Sequence, residues 1–333
     1  MGEIALFGDI NVDVLMAIPR YPGPGEDAMA TQITLQPGGS VANTAIVLAK
    51  LGAQTRMISR IGDDRWAEIA LQPLIDSGVD VTHVTRDPIE TTGLIFIPVV
   101  IDGERTMFSY RGANLQKSVA EIERGIFTDV SLLHISAYNF LVSPQREATW
   151  RAVELAAETG VGLTMDVGVE PAVHAKSDLE NILPGLSILV IGFEEAQLLI
   201  NAKTPQDAVK EFLDKGVQLV GLKLGRDGCI IASQSERFIL PGFEVDTVDT
   251  TGAGDAFCSG LIYAMLKDMS LSAGGMLANT LGALATTVWG GGPVLPGREE
   301  VLEFLSKRLE EFNEVEKKMW AREVIEVLSS AAV

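Results

Sequence analysis

The sequence predicts an α/β protein with three layers, αβα, built on a mainly parallel central sheet with a small β-sheet lid. Three observations favour this fold. From residue 130 onward, short apolar strands alternate with helical runs, which is typical of βαβ units and a parallel sheet. Two β-like segments with glycine- or proline-containing turns lie in the first third of the chain. The 333 residues, 47% of them hydrophobic, are enough for one large domain.

The overall charge and the cysteine pattern narrow the class of protein. A formal net charge of −19 argues against nucleic acid or an anionic membrane as the partner. No apolar run approaches the ~18 residues of a membrane span, and the N-terminus has no basic leader. The two cysteines, Cys229 and Cys258, lie far apart in the sequence. We therefore expect a cytoplasmic protein without disulfides or a zinc site.

The first strand is predicted at Glu3–Phe7, and it ends in a short polar run that contains Asn11 and Asp13. Polar side chains just beyond a strand end are where open α/β sheets bind ligands. These two residues are therefore candidates for ligand binding. The alternative is a turn in which their side chains bond the local backbone.

Residues 14–35 and 92–111 are predicted to leave the main sheet and form the lid. Three prolines between residues 19 and 24 exclude a helix from the first segment. The second contains Asp102-Gly103 between two β-like runs, which is a strong signal for a hairpin turn. Arg111 ends this segment, where it either reaches an anionic or hydroxyl-rich ligand or is a solvated strand end.

Between the two lid segments, Gly38 and Gly39 precede an apolar helix that runs to Leu51 and ends at Gly52. The two glycines permit a ligand to approach the backbone closely. Asn43, near the start of the helix, would then point into the site. In the alternative interpretation, Ser40 only caps the helix and Asn43 has no role.

The remaining chain continues the alternation of strand and helix. Asp166 and Glu195 both follow strand ends, on the edge where ligands are expected. Glu195 could equally be an exposed residue stabilised by the dipole of its helix. Strands are predicted at 55–60, 132–135, 162–167, 188–191 and 219–224, and helices at 66–77, 144–159, 194–201 and 205–215.

A glycine-containing turn, Lys223-Leu-Gly-Arg-Asp-Gly, follows the strand at 219–224 and begins a hairpin over 229–231 and 238–240. Gly225 and Gly228 would let the backbone pack closely on a flat ligand such as a nucleotide. An anionic nucleotide needs local positive charge in so acidic a protein, and Lys223 could supply it. The alternative is a surface lysine beside a turn.

The most informative stretch runs from residue 249 to 260, Asp-Thr-Thr-Gly-Ala-Gly-Asp-Ala-Phe-Cys-Ser-Gly. A β-like segment, 243–248, precedes it and an apolar helix follows. Gly252 and Gly254 allow a sharp turn, so the unpaired N–H groups of the first helical turn form an anion site. Asp255 faces the same place, although it could be only a helix cap. An anion site beside a carboxylate suits phosphoryl transfer.

These twelve residues resemble the C-terminal signature of the ribokinase-like (PfkB) family of carbohydrate and nucleoside kinases. The pattern Gly-Gly-x-x-x-Asn-x-Ala that begins at Gly38 resembles the other signature of the family. The resemblance extends from Ile4 to about Phe312. It implies the ribokinase-like fold, with ATP and Mg²⁺ as cofactors and possible use of K⁺. It also implies a homodimer that forms through the lid.

The resemblance also implies roles for individual residues. The anion hole would be formed by Gly252, Ala253 and Gly254, with Asp255 as the catalytic base. The acceptor would be held by Asn11, Asp13, Gly38, Gly39 and Asn43, with Arg111 from the lid. ATP would contact Lys223, Gly225, Gly228 and Asn279. Glu195 would help place Mg²⁺ and its waters, and Asp249 and Thr251 would bind K⁺. We further expect a low pKa for Asp255, because its surroundings would be positive.

Two departures from the family pattern leave the substrate open. Gly192 and Gly168 stand where the family has, or often has, asparagine. The main prediction is an ATP-dependent sugar kinase acting on ribose, fructose, a keto-deoxy sugar acid or a similar compound. The alternatives are an adenosine-type nucleoside kinase and a non-catalytic regulator that binds a sugar or nucleotide. Residues 1–312 would form the kinase domain, and 313–333 a helical tail that is either solvated or an oligomer contact.

Overall fold

A computed structural model describes residues 2–100 and 105–330. The predicted hairpin turn at Asp102-Gly103 lies outside these residues. Within them, the α/β fold with a mainly parallel central sheet and a separate small sheet is confirmed. No helix of the described chain is both long and apolar enough to cross a membrane.

Apart from the segment at 243–248, the predicted strands are present in the predicted order, and the strand at Asp80–Asp87 was not predicted. The strands are β1 Glu3–Phe7, β2 Asn11–Ala17, β3 Gln32–Gly38, β4 Thr55–Gly62, β5 Asp80–Asp87, β6 Gly93–Val99, β7 Phe108–Tyr110, β8 Val130–Ser136, β9 Gly162–Asp166, β10 Leu186–Gly192, β11 Leu219–Lys223, β12 Cys229–Ser233 and β13 Arg237–Leu240.

The four helices predicted between residues 66 and 215 are confirmed to within one residue at each end. The helices are α1 Ser40–Lys50, α2 Arg65–Asp76, α3 Gln145–Thr159, α4 Val169–His174, α5 Lys176–Ile182, α6 Phe193–Ile200, α7 Pro205–Asp214, α8 Ala253–Leu266, α9 Leu271–Ala285, α10 Arg298–Arg308 and α11 Val315–Ser330.

The central sheet has the strand order β13-β12-β11-β10-β9-β8-β1-β4-β5. Strands from β11 to β5 are parallel, and β12 and β13 add an antiparallel hairpin at one edge. The carboxyl ends of the parallel strands therefore share one edge of the sheet, where α/β proteins place their ligands.

Each face of the sheet has its own hydrophobic core, as the alternation along β1 shows. Ile4 and Leu6 pack on the face covered by α1, α8 and α9, whereas Ala5 and Phe7 pack on the face covered by α3. All four side chains are fully buried. Because successive side chains of a strand point to opposite faces, a fully apolar strand indicates a sheet covered on both sides.

The lid is a four-stranded sheet in the order β3-β2-β6-β7, with β2 antiparallel to β3 and parallel to β6. It begins earlier than predicted, since β2 starts at Asn11 and β3 continues to Gly38. The boundaries 14–35 were therefore too narrow. Asn11 and Asp13 do not follow a main-sheet strand as loop residues but belong to the lid itself.

The predicted strand at 243–248 is wrong, because this segment is an irregular loop. Phe243 packs its ring against Phe304 of α10, with the ring centroids 5.1 Å apart. Further along, the Val248 amide donates to the Thr286 carbonyl at 2.7 Å. The apolar residues of the segment thus anchor a loop on the helices, and their alternation imitates a strand.

The C-terminal helix α11 is part of the core. Ala321, Val324 and Leu328 are fully buried in the hydrophobic cluster that contains α9. Trp320 meets Phe238 of β13 edge to face, with the ring centroids 5.9 Å apart. The interpretation of residues 313–330 as a solvated tail is therefore wrong for this face of the helix.

Candidate active site

The turn before α8 exposes unpaired backbone amides. Gly252 has φ 75°, and a Cβ there would lie 2.8 Å from the Leu295 side chain, so the position favours glycine. Among the described residues, the Gly254 and Asp255 amides have no hydrogen-bond acceptor, and α8 begins at Ala253. The positive end of the helix therefore offers free N–H groups to an anion, as the sequence predicted.

Two cavities meet at this turn. The first, of about 250 Å³, lies under the lid and is lined by Asp13, Thr251, Gly252 and Asp255. The second, of about 740 Å³, lies on the other side of the turn and is lined by Lys223, Ala253 and Gly254. The start of α8 is thus a wall common to both, with the free amides between them.

Two side chains of α1 hold the Asp255 carboxylate. Ser40 Oγ donates to Asp255 Oδ1 at 2.6 Å, and Asn43 Nδ2 donates to Asp255 Oδ2 at 2.7 Å. Asn43 Oδ1 in turn accepts from the Gly292 amide at 2.9 Å. Gly39, with φ 102°, and not Ser40 precedes the helix. The alternative in which Ser40 caps and Asn43 has no role is therefore wrong.

The inner face of the lid brings Asp13 and Asn11 to the first cavity. Asp13 lies over Gly38, where a Cβ would come within 2.1 Å of Asp13 Oδ1. The structure gives the Asp13 carboxylate no hydrogen-bond partner among the described residues. Asn11 Oδ1 accepts from the buried Asn114 at 3.0 Å. Asp13 is thus the lid carboxylate that a ligand in the cavity can reach.

Arg111 is not a solvated strand end. Its guanidinium makes two hydrogen bonds to the Asp9 carboxylate, at 2.6 and 2.9 Å, and a third to Gln145 Oε1 at 2.6 Å. Bidentate pairs of this kind fix the geometry of both partners. Arg111 and Asp9 line the first cavity as a neutral pair.

Lys223 lies beside the turn and is not a surface lysine. Its Nζ donates to Asp166 Oδ1 at 3.0 Å, and a Cβ at Gly254 would lie 3.3 Å from the same Nζ. Burial lowers the pKa of Lys223, but Asp166 and Glu195 outweigh this effect and raise the pKa above its usual value. Lys223 is therefore a charged ammonium at the wall of the second cavity, paired with Asp166.

Asp166 and Glu195 form the acidic side of this cluster. Burial raises the pKa of both carboxyls, while the Lys223 charge opposes that shift. Glu195 Oε2 accepts from the Gly192 amide at the start of α6. Mg²⁺ is usually held by one or two carboxylates together with substrate phosphates. The Glu195 carboxylate fits such an ion, whereas Asp166 Oδ1 is already paired with Lys223.

The other candidates for the second cavity lie on its walls. Gly225, Gly228 and Asn279 all line it. Asn279 Nδ2 donates to the Pro241 carbonyl at 2.7 Å. Gly228 has φ 95°, and a Cβ there would come within 2.1 Å of the Leu240 carbonyl, so the hairpin itself requires this glycine.

Asp249 and Thr251 lie together on the near side of the turn. Both contact Arg105, which extends from the lid. The expected K⁺ site needs free oxygen atoms on these side chains, but Asp249 Oδ1 and Thr251 Oγ1 already accept from Arg105.

Comparison with known proteins decides the family. A model described as "pfkB family carbohydrate kinase" matches residues 1–297. The chain belongs to this family. A ribokinase of Haemophilus influenzae is 30% identical over 91% of the kinase and 98% of that protein. Fructokinase-1 of maize (Zea mays) is also 30% identical, over 91% of the kinase and 98% of that protein.

The fold of the kinase agrees with solved structures. A putative ribokinase II of E. coli, solved in complex with ATP and Mg²⁺, aligns with a TM-score of 0.84. It covers 92% of the kinase and 100% of the solved chain, at 24% identity. This likeness confirms the ribokinase-like fold that the two signatures predicted.

The electrostatics of the kinase site differ from the expectation in one respect. Burial and the charge of Asp166 raise the pKa of Asp255 to about 6, against the hydrogen bonds from Ser40 and Asn43. The predicted low pKa is therefore wrong. Burial and the neighbouring Asp255 also raise the pKa of Asp13, to about 7. The sequence suggested positive surroundings, but the kinase site contains several buried carboxylates.

Several residues of the first cavity were not predicted as site residues, among them Asp9, Arg105, Tyr138 and Asn139. Tyr138 fills the space above Gly168, where a Cβ would lie 2.4 Å from Tyr138 Cε2. In the sequence, the glycine at 168 was the one indication that a large side chain from another segment occupies this space. Asn139 Nδ2 donates to the Phe7 carbonyl at 2.9 Å, whereas its buried Oδ1 has no partner among the described residues.

Proposed function

We propose that this kinase transfers the γ-phosphate of ATP, with Mg²⁺, to a hydroxymethyl group of a small neutral carbohydrate such as ribose or fructose. One observation carries the proposal. The start of α8 separates two cavities, with the Asp255 carboxylate on one side and Lys223 on the other. An acceptor hydroxyl and a nucleotide phosphate can therefore approach the same free amides from opposite sides.

In this proposal, each group has one task. Asp255 accepts the proton of the acceptor hydroxyl, while Ser40 and Asn43 keep its carboxylate aimed at the first cavity. The amides of the turn stabilise charge on the transferring phosphoryl group, as preorganised donors do in other transferases. Glu195 would help to place the Mg²⁺ ion, which would supply further positive charge at the phosphates.

The acceptor is proposed to be neutral, because the arginines of the first cavity are already paired. Arg111 is paired with Asp9, and Arg105 with Asp249. Asp13 and Asp255 add two further carboxylates. A sugar acid would thus meet net negative charge, whereas hydroxyl groups can donate to the Asp13 carboxylate. This favours ribose or fructose over a keto-deoxy sugar acid.

A nucleoside is the second candidate, on the strength of the lid. Ile95, Ile97 and Met107 present an apolar wall to the first cavity. A nucleobase could pack against such a wall. The residues that hold Asp255 would serve either acceptor equally.

ADP release in the presence of Mg²⁺, measured with ribose, fructose, 2-keto-3-deoxygluconate and adenosine, tests the proposal. We expect turnover with one of the neutral sugars and a loss of at least about 100-fold in the Asp255→Asn variant. Turnover only with adenosine would establish the second candidate, and turnover only with the sugar acid would refute the neutral acceptor. Binding of ATP without turnover of any acceptor would favour a regulator.

We also propose that the outer face of the lid joins two copies of the chain. Phe96 pairs with Phe108 across β6 and β7, and both side chains are exposed, by 41% and 60%. Ile33, Leu35 and Tyr110 are exposed as well. A cluster of large apolar side chains on one sheet is more typical of an interface than of a free surface.

Sedimentation velocity tests this dimer. Phe108→Glu should convert a dimer to a monomer, while Ile239→Glu, at an exposed apolar residue outside the lid, should not. A wild-type protein that is monomeric at micromolar concentration would refute the proposal.

A cytoplasmic location stays a prediction, supported by the two free and buried cysteines.

A further inference from the structure

Arg105 connects the lid to the turn that precedes α8. It lies beyond β6, where it forms an isolated antiparallel bridge with Val99. Its NH1 group donates to Asp249 Oδ1 and to Thr251 Oγ1, both at 2.8 Å. The Asp249 side chain is only 9% exposed, so this ion pair is largely shielded from solvent.

The partner of Arg105 organises the backbone of the turn. Asp249 Oδ1 also accepts from the Thr251 amide, at 3.0 Å, and from the Thr251 hydroxyl, at 2.9 Å. Asp249 Oδ2 accepts from the Gly290 amide at 2.9 Å. The carboxylate thus ties the residue before Gly252 to a second loop. Among the described residues, Arg105 is the only cation paired with it.

These contacts do not fit a K⁺ ion held by the side chains of Asp249 and Thr251. Asp249 Oδ1 already accepts from the Arg105 guanidinium and from two groups of Thr251. The Thr251 hydroxyl itself donates to Asp249 and accepts from Arg105. A cation beside the same oxygen would be repelled by the arginine. The charge that K⁺ would supply is already present on the chain.

We infer that the Arg105 guanidinium takes the place of a monovalent cation at the anion-hole turn of this kinase. It neutralises Asp249 and fixes Thr251, so that the free amides of Gly254 and Asp255 stay directed between the two cavities. Arg105 is in this sense a positioning residue. Turnover then needs no K⁺, and the turn depends on a residue contributed by the lid.

The experiment compares wild type with Arg105→Ala in KCl, NaCl and tetramethylammonium chloride at one ionic strength. Its kinetic readouts rest on the proposed function, but thermal stability does not. Arg20→Ala is the matched control. Arg20 is another lid arginine and forms an ion pair with Glu26, but both of these side chains are more than half exposed. A third variant, Arg105→Lys, keeps the positive charge but lacks the planar guanidinium group with its several N–H donors.

The wild-type Tm and kcat are expected to be the same in all three salts. Arg105→Ala should lose about 100-fold in kcat, as when a preorganised donor group is lost, with little change in the KM of the acceptor. Its Tm and kcat should rise in KCl or with added guanidinium. Arg105→Lys should keep more of the kcat than Arg105→Ala, and Arg20→Ala should behave as wild type.

Three results would overturn the inference. The first is a K⁺-specific increase in the Tm or kcat of the wild type. The second is normal turnover of Arg105→Ala. The third is a rise in the acceptor KM alone, which would make Arg105 an acceptor contact. If the wild type turned over no acceptor, the salt dependence of the wild-type Tm would still decide the point.

Discussion

At the scale of single residues, the environment of Asp255 sets two effects against each other. The N-terminus of α8 favours a charged carboxylate, as do the hydrogen bonds from Ser40 and Asn43. Burial and Asp166 oppose ionisation and prevail, so the pKa is about 6. A carboxyl of this pKa is ionised at neutral pH and is a better proton acceptor than an ordinary aspartate.

Asp255→Asn should lower kcat by about 10²- to 10⁴-fold, the range in which a general base contributes. The asparagine is similar in size, so the fold should be kept. Calorimetry should find that ATP still binds. Asp27→Asn, at an exposed lid position, is the control. Near-normal turnover of Asp255→Asn would remove this residue from the chemistry.

The same pKa predicts the acid limb of the pH profile. Proton acceptance needs the ionised form of Asp255, so kcat/KM should fall as the pH drops through about 6.

Asp13 should affect the stability of the fold, and with the opposite dependence on pH. Its pKa is about 7 in the fold against a usual 3.8, so the folded state binds more protons between these values, and stability declines as the pH rises.

Asp13→Asn should therefore stabilise the protein at pH 8 by about 2–4 kcal/mol, since each pKa unit corresponds to about 1.4 kcal/mol. The gain should vanish near pH 4, where the folded carboxyl is already protonated. Urea unfolding at both pH values measures it. A loss of stability at pH 8 would show that the Asp13 charge is compensated in the fold.

A further residue prediction concerns the contact between Tyr138 and Gly168. Gly168→Ala places a methyl group 2.4 Å from Tyr138 Cε2 and must displace the ring. We expect a higher KM for the acceptor with little change for ATP. Tyr138→Ala makes room for the methyl group, so the two changes should be strongly non-additive in a double-mutant cycle. Additive effects would mean that the ring does not transmit the change.

The sequence located residues with a local pattern more easily than those that depend on tertiary contacts. Asp255 and Asn43 stand in short motifs with glycines, so their position at the first cavity could be predicted. Asp9 and Tyr138 have no such pattern, and their roles arise from pairing with Arg111 and from the space over Gly168. The pKa of Asp255 was missed for the same reason, since Asp166 approaches it only in the folded chain.

At the scale of elements, two glycines of α8 have different surroundings: Gly254 lies at a cavity and Gly260 lies in the packing between helices. Gly254 faces the second cavity, and a Cβ there would meet only Lys223 Nζ, at 3.3 Å. Gly260, nearly two turns later, lies against α9, where a Cβ would be 2.5 Å from the Ala278 Cα. One glycine leaves room for a ligand and the other leaves room for a helix.

The two matched substitutions on this helix should have opposite effects. Gly254→Ala should leave stability unchanged or raise it by up to about 1 kcal/mol through helix propensity, while weakening ATP binding and turnover. Gly260→Ala should cost about 1–3 kcal/mol by overpacking, with kcat retained in the folded fraction. Thermal unfolding and ADP release distinguish them. A destabilised Gly254→Ala variant would show that this position is needed for packing.

Elements with a strong period were predicted well, and those shaped by distant partners were not. The helices between residues 66 and 215 follow from local sequence and capping, for example Asp64, which accepts from the Ala67 amide. The loop 243–248 has a strand-like alternation, but its side chains pack on helices that come later in the chain. Only the tertiary structure distinguishes these two outcomes.

At the scale of the whole molecule, α11 completes the core on one face of the sheet. Its buried residues join the cluster around α9, and Glu323 accepts from the Ser270 amide at the start of α9, at 2.7 Å. The amphipathic pattern of this segment was visible in the sequence. The surface that it covers was not, because that surface forms from elements far away in the chain.

Deleting residues 315–333 should therefore destabilise the protein by about 3–6 kcal/mol, since each buried Val or Leu contributes about 1.5–3 kcal/mol. Urea unfolding measures the loss. Deleting only residues 331–333 serves as the control. If the longer deletion left the unfolding midpoint unchanged, the helix would not belong to the cooperative unit.

Successive side chains of the lid strands point alternately to the first cavity and to the outer face, and this limits which sequence changes the lid can accept. Along β6 and β7, Ile95, Ile97 and Ser109 line the first cavity, whereas Phe96 and Phe108 point away from it. Inserting or deleting a single residue in β6 would exchange the two sets. Evolution can thus alter acceptor preference or the outer surface by substitution, one face at a time. A change of two residues in strand length would leave both sets on their own faces.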